Sequence, residues 1–402
     1  MKDKPAIEGG RPVKDEFLVY GSPCFGDEEI DEVADTLRSG WVGLGPKTKK
    51  FESEFAEYTG SRHAIGLNSC TAGLFLSLKA AGVGEGDEVI TSPMTFCSTA
   101  NVIEHCGARP VFVDIDRETL NMDPFKLEEA IGEKTKAVIP VHMAGRPCEM
   151  DSILQIAEEN GLFVINDAAH AIETKYKSKS VGSLGDSSAF SFYATKTLAI
   201  GEGGMLTTNN DDWAERIRIL RLHGISKDAW KRYTAGGYSR YETGEPGYKF
   251  NMWDVQAAIG IHQLRRLEEN LAKRARLFKK YDDAFKNLEQ LTVLDAGDKE
   301  GMRHARCIYI VLLQLESLKI DRDRFAEALE AENIGTGVHF TSLHTHLYYR
   351  EKYNFAPEQF SEAQFVSERT VSLPLSAKIT DEESDRVVEA VEKIVRYYAR
   401  ED

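Results

Sequence analysis

Two stretches of the chain decide the fold, 163–170 (FVINDAAH) and 189–196 (AFSFYATK). Each begins as a short apolar strand and ends in a charged side chain, Asp167 in the first stretch and Lys196 in the second. In open α/β sheets, ligands bind in the crevice at the carboxyl ends of the parallel strands. We therefore expect Asp167 and Lys196 to open onto one crevice, together with Ser191 from the second stretch.

These three side chains supply complementary chemistry. A lysine amine forms a Schiff base with an aldehyde, a carboxylate keeps a pyridine nitrogen protonated, and a serine hydroxyl binds a phosphate. The combination predicts pyridoxal 5'-phosphate as the cofactor, with Lys196 and Asp167 as catalytic residues. Taken singly, each residue has an ordinary alternative, since Asp167 could cap a following helix and Lys196 could be a solvated surface amine.

Strand-like runs alternate with helical patterns through the first two thirds of the chain. This alternation is typical of an α/β fold, with a mostly parallel sheet covered by helices on both faces. The predicted strands are 63–68, 88–91, 110–114, 137–142, 162–166, 188–192 and 204–208. The predicted helices between them include 72–81, 150–160 and 211–223.

The last third has a different pattern. Helical spacing over 254–288 predicts one or two long helices that leave the sheet domain. A strand at 307–313, a helix at 322–332 and a long terminal helix at 381–398 then predict a smaller α+β domain. We divide the chain into a large cofactor-binding domain, 1–255, and a small domain, 256–402. The loop 231–247 has no clear periodicity, and we expect it to be mobile or to lie at an interface.

Composition excludes several classes of protein. The 402 residues, 42% hydrophobic and 29% charged, describe a soluble globular protein of two to three domains. The net charge of -15 disfavours binding to nucleic acid, which requires a basic surface. The charged first residues contain no secretory signal, and the chain has no run of about 20 apolar residues that could span a membrane. We expect a cytoplasmic protein without nucleic-acid or membrane partners.

A second phosphate-binding element is predicted at 67–73 (LNSCTAG), between a strand and a helix. The N–H groups at a helix N-terminus bind anions, so Thr71 would add a hydroxyl and Ala72 an N–H. Read alone, the segment is also compatible with an ordinary polar helix start. Phe96 follows the strand 88–91 and could stack on a planar ring, or it could be a core residue.

We predict no metal site and no disulfide framework, because the six cysteines are scattered without close pairing. The histidines also lack a compact ligand pattern. His170 follows Asp167 by three residues and could reach the same ligand. His344 lies in a polar stretch, where contact with a substrate and a solvated surface position are both open.

With these motifs, the chain resembles the DegT/DnrJ/EryC1/StrS family of pyridoxal-phosphate-dependent sugar aminotransferases, from about Gly40 to the C-terminal helix. Within the family it is most similar to the UDP-4-amino-4-deoxy-L-arabinose–oxoglutarate aminotransferase branch. The resemblance rests on 39–46 (SGWVGLGP), 167–170 (DAAH), 190–192 (FSF) leading to Lys196, 202–204 (EGG), 247–252 (GYKFNM) and the stretch from His339-Phe340 to Tyr348-Tyr349-Arg350.

The resemblance implies an aspartate-aminotransferase-like fold, fold type I, and a homodimer with shared active sites. Lys196 would carry the cofactor, Asp167 would pair with the pyridinium nitrogen, Phe96 would cover the ring and His170 would lie near the ring hydroxyl. The residues that it assigns to the cofactor phosphate are Thr71, Ala72 and Ser191, with Asn251 and Lys249 from the partner subunit.

The implied reaction moves an amino group from glutamate, which becomes 2-oxoglutarate, to a nucleotide-activated keto-sugar, here a UDP-4-keto-sugar. The product would be an amino sugar for a cell-surface polysaccharide or glycan. Lys196 favours transamination, since related sugar dehydratases carry histidine at that position. The branch has tryptophan where this chain has Phe96, which favours a 4-keto-6-deoxyhexose over a pentose. Candidates for contact with the sugar nucleotide are Trp41, His344 and Tyr348, with exposed loops as the alternative.

Two other functions remain open. A lyase or desulfurase on the same fold would use Cys70 or Cys97 as a nucleophile, although neither lies in an evident mobile loop. A non-catalytic regulatory relative would keep the fold without turnover. The intact set of Asp167, Ser191 and Lys196 argues against that second alternative.

Overall fold

The computed structural model describes residues 4–225, 242–295, 297 and 299–400. Its helices are α1 Asp27–Ser39, α2 Pro46–Thr59, α3 Cys70–Ala80, α4 Cys97–His105, α5 Pro124–Glu129, α6 Met150–Asn160, α7 Asp211–Leu220, α8 Asp254–Arg265, α9 Leu267–Phe285, α10 Arg322–Ala331, α11 Leu347–Tyr353, α12 Ser361–Arg369 and α13 Asp381–Tyr398. Its strands are β1 His63–Leu67, β2 Glu88–Thr91, β3 Arg109–Phe112, β4 Thr135–Ile139, β5 Phe163–Asp167, β6 Lys175–Tyr176, β7 Lys179–Ser180, β8 Ser187–Ser191, β9 Gly204–Thr208, β10 Leu291–Val293, β11 Tyr309–Leu313 and β12 Thr370–Leu373. The predicted loop 231–247 lies outside the described residues except for 242–247.

A seven-stranded sheet in the order β1-β9-β8-β5-β4-β2-β3 forms the centre of the larger part. It is mostly parallel, as predicted, but β9 runs antiparallel to both of its neighbours, β1 and β8. Residues of β5 and β8 are almost entirely buried, and two of the three serines of β8 are satisfied in the core, since Ser187 donates to Ser77 Oγ and Ser188 to the Val181 carbonyl. The predicted α/β fold with a mostly parallel sheet is confirmed.

Close packing brings the start of α3 against the sheet. The Ser69 side chain accepts a 3.1 Å hydrogen bond from the Ala72 N–H, which caps α3 and fixes its first turn beside the end of β1. Gly204, at the start of β9, has no side chain, and a Cβ there would lie 2.5 Å from the Cys70 nitrogen. This position therefore requires glycine, because any larger residue would push the helix N-terminus away from the strand ends.

A second sheet, in the order β10-β11-β12, is antiparallel throughout. Its core includes Tyr281 from α9, Phe325 from α10 and Ile394 from α13. The helix α13 begins at a capping box, in which Thr380 and Glu383 bond each other's backbone N–H groups. This arrangement agrees with the predicted smaller α+β region.

The region predicted as one or two helices contains two, α8 and α9, with a break at Arg266. The helix α8 packs on α1 and α2 of the larger part, and α9 packs in the small-sheet core. The N-terminal segment, which we assigned to the large domain, makes buried contacts with small-domain elements: Leu18 joins their core, and Glu332 accepts hydrogen bonds from the Ala6 and Val13 N–H groups. The division at residue 255 stays a prediction.

Candidate active site

A cavity of about 440 Å³ opens at the carboxyl ends of the parallel strands. It receives residues from the ends of β1, β2, β4, β5 and β8, from the turn before β9, and from one segment of the small domain. The residues that line it are Ser69, Cys70, Thr71, Thr95, Phe96, Ser98, Val141, Asp167, Ala169, His170, Ser191, Tyr193, Thr195, Lys196, Glu202, Gly203, Val338, His339 and Phe340. Six of the residues predicted from sequence are among them: Thr71, Phe96, Asp167, His170, Ser191 and Lys196.

Asp167, the last residue of β5, is 5% exposed. Its Oδ2 accepts a 2.7 Å hydrogen bond from Thr99 Oγ1, and its Oδ1 accepts one of 3.1 Å from the Ala169 N–H. Burial raises the pKa of the carboxyl group, and the Thr99 and Ala169 hydrogen bonds and the Lys196 charge oppose that rise. Residues 168–174 form turns, so the alternative of a helix cap is wrong.

Lys196 lies in the turn that follows β8 and is half-buried. Its backbone N–H donates to the Tyr193 carbonyl at 2.9 Å, which closes the turn and directs the residue to the cavity. The next residue, Thr197, donates from Oγ1 to Glu173 Oε2 at 3.0 Å. The Lys196 turn is thereby tied to the segment that follows Asp167, so the amine and the carboxylate face one cavity as predicted.

The N-terminus of α3 forms the third wall. Helical N–H groups of the first turn have no intrahelical partners, and they carry partial positive charge. The Ser69 hydroxyl takes the Ala72 N–H, so the predicted Ala72 donor already has a partner within the chain. Thr71 is half-buried and lines the cavity, and Ser191 faces it from the end of β8. Amide groups and hydroxyls therefore converge where a phosphate was predicted.

Aromatic rings close the cavity from two sides. Phe96 is 59% exposed, which excludes the core alternative, and its ring centroid lies 6.3 Å from that of Phe340. The buried His170 ring stacks on Phe340, with centroids 6.0 Å apart and an interplanar angle of 12°. Burial, helped by the Lys196 charge and by His339, lowers the pKa of His170 well below its usual range, so the ring is neutral.

His339 and Phe340 are site residues that our sequence reasoning missed as such. They lie between α10 and β12 in the chain and line the same cavity as Asp167 and Lys196. His339 Nδ1 lies 2.8 Å from Ser372 Oγ, and burial lowers its pKa to about 4. The signal in the sequence that could have identified them was the resemblance of the stretch from His339 to Arg350 to one branch of the family. Thr95 and Thr99 were missed as well, because a hydroxyl on a helix start carries no pattern of its own.

Six predicted residues do not line this cavity: Ala72, Lys249, Asn251, Trp41, His344 and Tyr348. Lys249 is exposed and donates from Nζ to Asn251 Oδ1 at 2.6 Å, beside β1. Trp41 is 39% exposed and Tyr348 is 52% exposed. His344 is 1% exposed, and its ring nitrogens lie 2.8 Å from Ser342 Oγ and 3.2 Å from the Pro357 carbonyl, so the solvated alternative is wrong and the position does not support the predicted contact with the sugar nucleotide.

Cys97, one of the two cysteines considered as a nucleophile, does not line the cavity. All six are free thiols. Cys70 lines the cavity, but burial and the Asp167 charge raise its pKa well above the usual range, which disfavours the reactive thiolate. Within the described ranges, no group of three or more His, Cys, Asp or Glu side chains is arranged to hold a metal ion. None of the described helices is both long and apolar enough to cross a membrane.

The cavity fits the predicted cofactor. Among the residues that the structure describes, Asp167 accepts hydrogen bonds but forms no ion pair with a lysine or arginine, although it is buried. The two hydrogen bonds leave the charge of this buried carboxylate without a cation, and a protonated pyridine nitrogen would supply one. A lysine amine and a helix N-terminus face the same space. The fold and the site together define a pyridoxal-phosphate-dependent enzyme.

Comparison with known proteins agrees with this class. A sequence model of the DegT/DnrJ/EryC1/StrS aminotransferase family matches residues 23–392. An uncharacterised protein of Methanocaldococcus jannaschii is 52% identical over 383 residues, 95% of this chain and 99% of its own. The spore coat polysaccharide biosynthesis protein SpsC of Bacillus subtilis is 50% identical over 384 residues, 95% of this chain and 98% of its own.

A solved structure also matches nearly the whole chain. Spr1654 of Streptococcus pneumoniae, assigned as a sugar aminotransferase and solved in its PMP form, aligns with a TM-score of 0.89 and 34% identity, covering 94% of this chain and 99% of that one. The same protein is also known in a PLP form. The chain belongs to the DegT/DnrJ/EryC1/StrS aminotransferase family, and pyridoxal 5'-phosphate is its cofactor. Both were predicted from the sequence, whereas the arabinose branch stays a prediction.

Proposed function

We propose that this enzyme transfers an amino group from glutamate to a UDP-activated 4-keto-sugar, to make an amino sugar for a cell-surface polysaccharide or glycan. The observation that carries the proposal is the convergence of Lys196, Asp167 and the α3 N-terminus on one cavity. The naming of SpsC for spore coat polysaccharide biosynthesis and of Spr1654 as a sugar aminotransferase supports the class of acceptor.

Each residue then has a proposed role toward the cofactor. Pyridoxal phosphate supplies an aldehyde that exchanges amino groups and a ring that withdraws electrons. With the cofactor bound, Asp167 would hold a proton on the ring nitrogen, Phe96 would cover the ring, and neutral His170 would lie near the ring hydroxyl. Lys196 would hold the cofactor through its amine and would carry a proton to and from the α-carbon of the amino donor. The residues proposed for the phosphate are Thr71, Ala72 and Ser191, with Lys249 and Asn251 of the neighbouring chain.

A shared site in a homodimer explains the position of the last two residues. Lys249 and Asn251 lie beside Leu67 and Asn68, directly before the capped start of α3, but they are outside the cavity of their own chain. Because Lys249 and Asn251 do not line the cavity of their own chain, the cofactor phosphate that they could contact is that of another subunit. We propose that it binds the partner's cofactor phosphate.

The acceptor is proposed to be a UDP-4-keto-6-deoxyhexose in preference to a pentose. Phe96 is smaller than the tryptophan of the arabinose branch, and its exposed ring leaves room beside Phe340. Trp41 and Tyr348 have exposed rings, and we propose them as contacts for the nucleotide outside the cavity. Tyr348→Phe should raise KM for the sugar nucleotide and leave KM for glutamate unchanged.

The test is a comparison of kcat/KM for the two UDP-keto-sugars with purified enzyme and glutamate. A preference for the hexose supports the proposal, and a clear preference for the pentose overturns the steric argument. The matched variant Phe96→Trp should reduce the preference for the hexose. Failure of every nucleotide keto-sugar as an acceptor, with the glutamate half-reaction intact, would refute the proposed acceptor class.

A further inference from the structure

The carboxylate of Asp167 is held by a buried chain of two hydroxyl groups. Thr99 Oγ1 lies 2.7 Å from Asp167 Oδ2, and Thr95 Oγ1 lies 2.8 Å from Thr99 Oγ1. Thr99 is 0% exposed and Thr95 is 1% exposed. Thr99 lies in the first turn of α4 and Thr95 lies in the turn just before it, so the start of this helix contacts the end of β5.

The direction of these bonds follows from the number of protons. An ionised carboxylate only accepts, and a threonine hydroxyl has one proton to give. Thr99 therefore donates to Asp167, and its oxygen accepts the proton of Thr95. Thr99 cannot donate to Thr95 instead without losing its hydrogen bond to Asp167. The carboxylate has one further donor, the Ala169 N–H on the other oxygen.

We infer that Thr99 is a positioning residue for the reaction: its hydroxyl keeps Asp167 ionised and oriented, so that the cofactor's ring nitrogen and not the carboxylate holds the shared proton. Burial alone favours a protonated carboxyl group, and a donated hydrogen bond favours the anion. Thr95 acts indirectly: it donates to Thr99 Oγ1 and so keeps the Thr99 proton directed at Asp167. The inference rests on the role proposed for Asp167 and is independent of the acceptor sugar.

The experiment uses the enzyme reconstituted with cofactor that carries 15N in the ring. The 15N chemical shift reports whether the ring nitrogen is protonated, and it does not depend on turnover. Thr99→Val removes the hydroxyl and keeps the branched shape, whereas Thr99→Ser keeps the hydroxyl. We expect the shift of Thr99→Val to move toward that of a neutral pyridine and its Kd for the cofactor to rise about tenfold, a change typical of one lost hydrogen bond to a charged group. Thr99→Ser should match the wild type in both measurements.

The outcomes separate the inferred role of Thr99 from the proposed role of Asp167. A wild-type shift in folded Thr99→Val, with an altered shift in Asp167→Asn, overturns the role of Thr99 alone. A wild-type shift in Asp167→Asn refutes the proposed role of Asp167 itself. If Thr99→Val does not fold, Thr95→Val decides: it should change the shift in the same direction by a smaller amount, and a wild-type shift there overturns the inference.

Discussion

Arg274 Nη2 lies 2.5 Å from Glu173 Oε1, and the two side chains are only 3% and 0% exposed. Arg274 also donates to the carbonyls of Arg306 and Ala305. Glu173 accepts a further hydrogen bond from Thr197, next to Lys196. This buried ion pair therefore joins α9 to both segments that carry the proposed catalytic residues.

Removing one partner of this pair should destabilise the fold strongly. Arg274→Met leaves the Glu173 carboxylate buried without its cation, which typically costs about 3–5 kcal/mol. Denaturant unfolding measures the loss. The matched control is Lys279→Met, which removes the solvent-exposed partner of Asp283 and should leave the unfolding midpoint close to that of the wild type. Equal effects of the two substitutions would contradict the proposed importance of the buried pair.

Asp167→Asn should preserve the fold and much of the cofactor binding, and it should lower kcat by orders of magnitude. A neutral amide accepts a hydrogen bond but cannot hold the ring nitrogen protonated. Steady-state kinetics and cofactor absorbance measure the two effects separately. Turnover close to that of the wild type would mean that Asp167 only supports the turn at Ala169.

The sequence predicted the parts of this site that carry local patterns. Apolar runs followed by Asp167 and Lys196 predicted the strand ends, and a strand followed by small polar residues predicted the start of α3. The antiparallel direction of β9 was not predictable, since a buried run of residues has no direction. His339 and Phe340 were missed because only tertiary packing brings residues from so far along the chain to Asp167. His344 stands in a polar stretch, and its burial depends on Ser342, Pro357 and the Phe360 ring.

Lys196 should carry the cofactor. The purified protein should be yellow, and borohydride reduction followed by peptide mapping should place the pyridoxyl label on this residue. Lys279 is a useful internal control, because it is exposed and does not line the cavity. A label on any other lysine would overturn the assignment.

Mixed dimers should recover activity from two inactive parents. Lys196→Ala removes the amine, and Asn251→Ala removes the proposed contact to the partner's phosphate. One of the two sites in a hybrid dimer would then combine an intact Lys196 with an intact Asn251. Activity after mixing the variants measures this directly. Hybrid dimers that form without activity would mean that the site lies within one chain or does not depend on Asn251.

The most direct test of the whole account follows the nitrogen atom. Wild-type enzyme, 15N-glutamate and a UDP-4-keto-6-deoxyhexose are incubated, and the products are analysed by mass spectrometry. We predict one 15N-labelled amino sugar nucleotide for each 2-oxoglutarate formed, and no labelled sugar with Lys196→Ala. Formation of 2-oxoglutarate without 15N in the sugar nucleotide would contradict the proposed transamination.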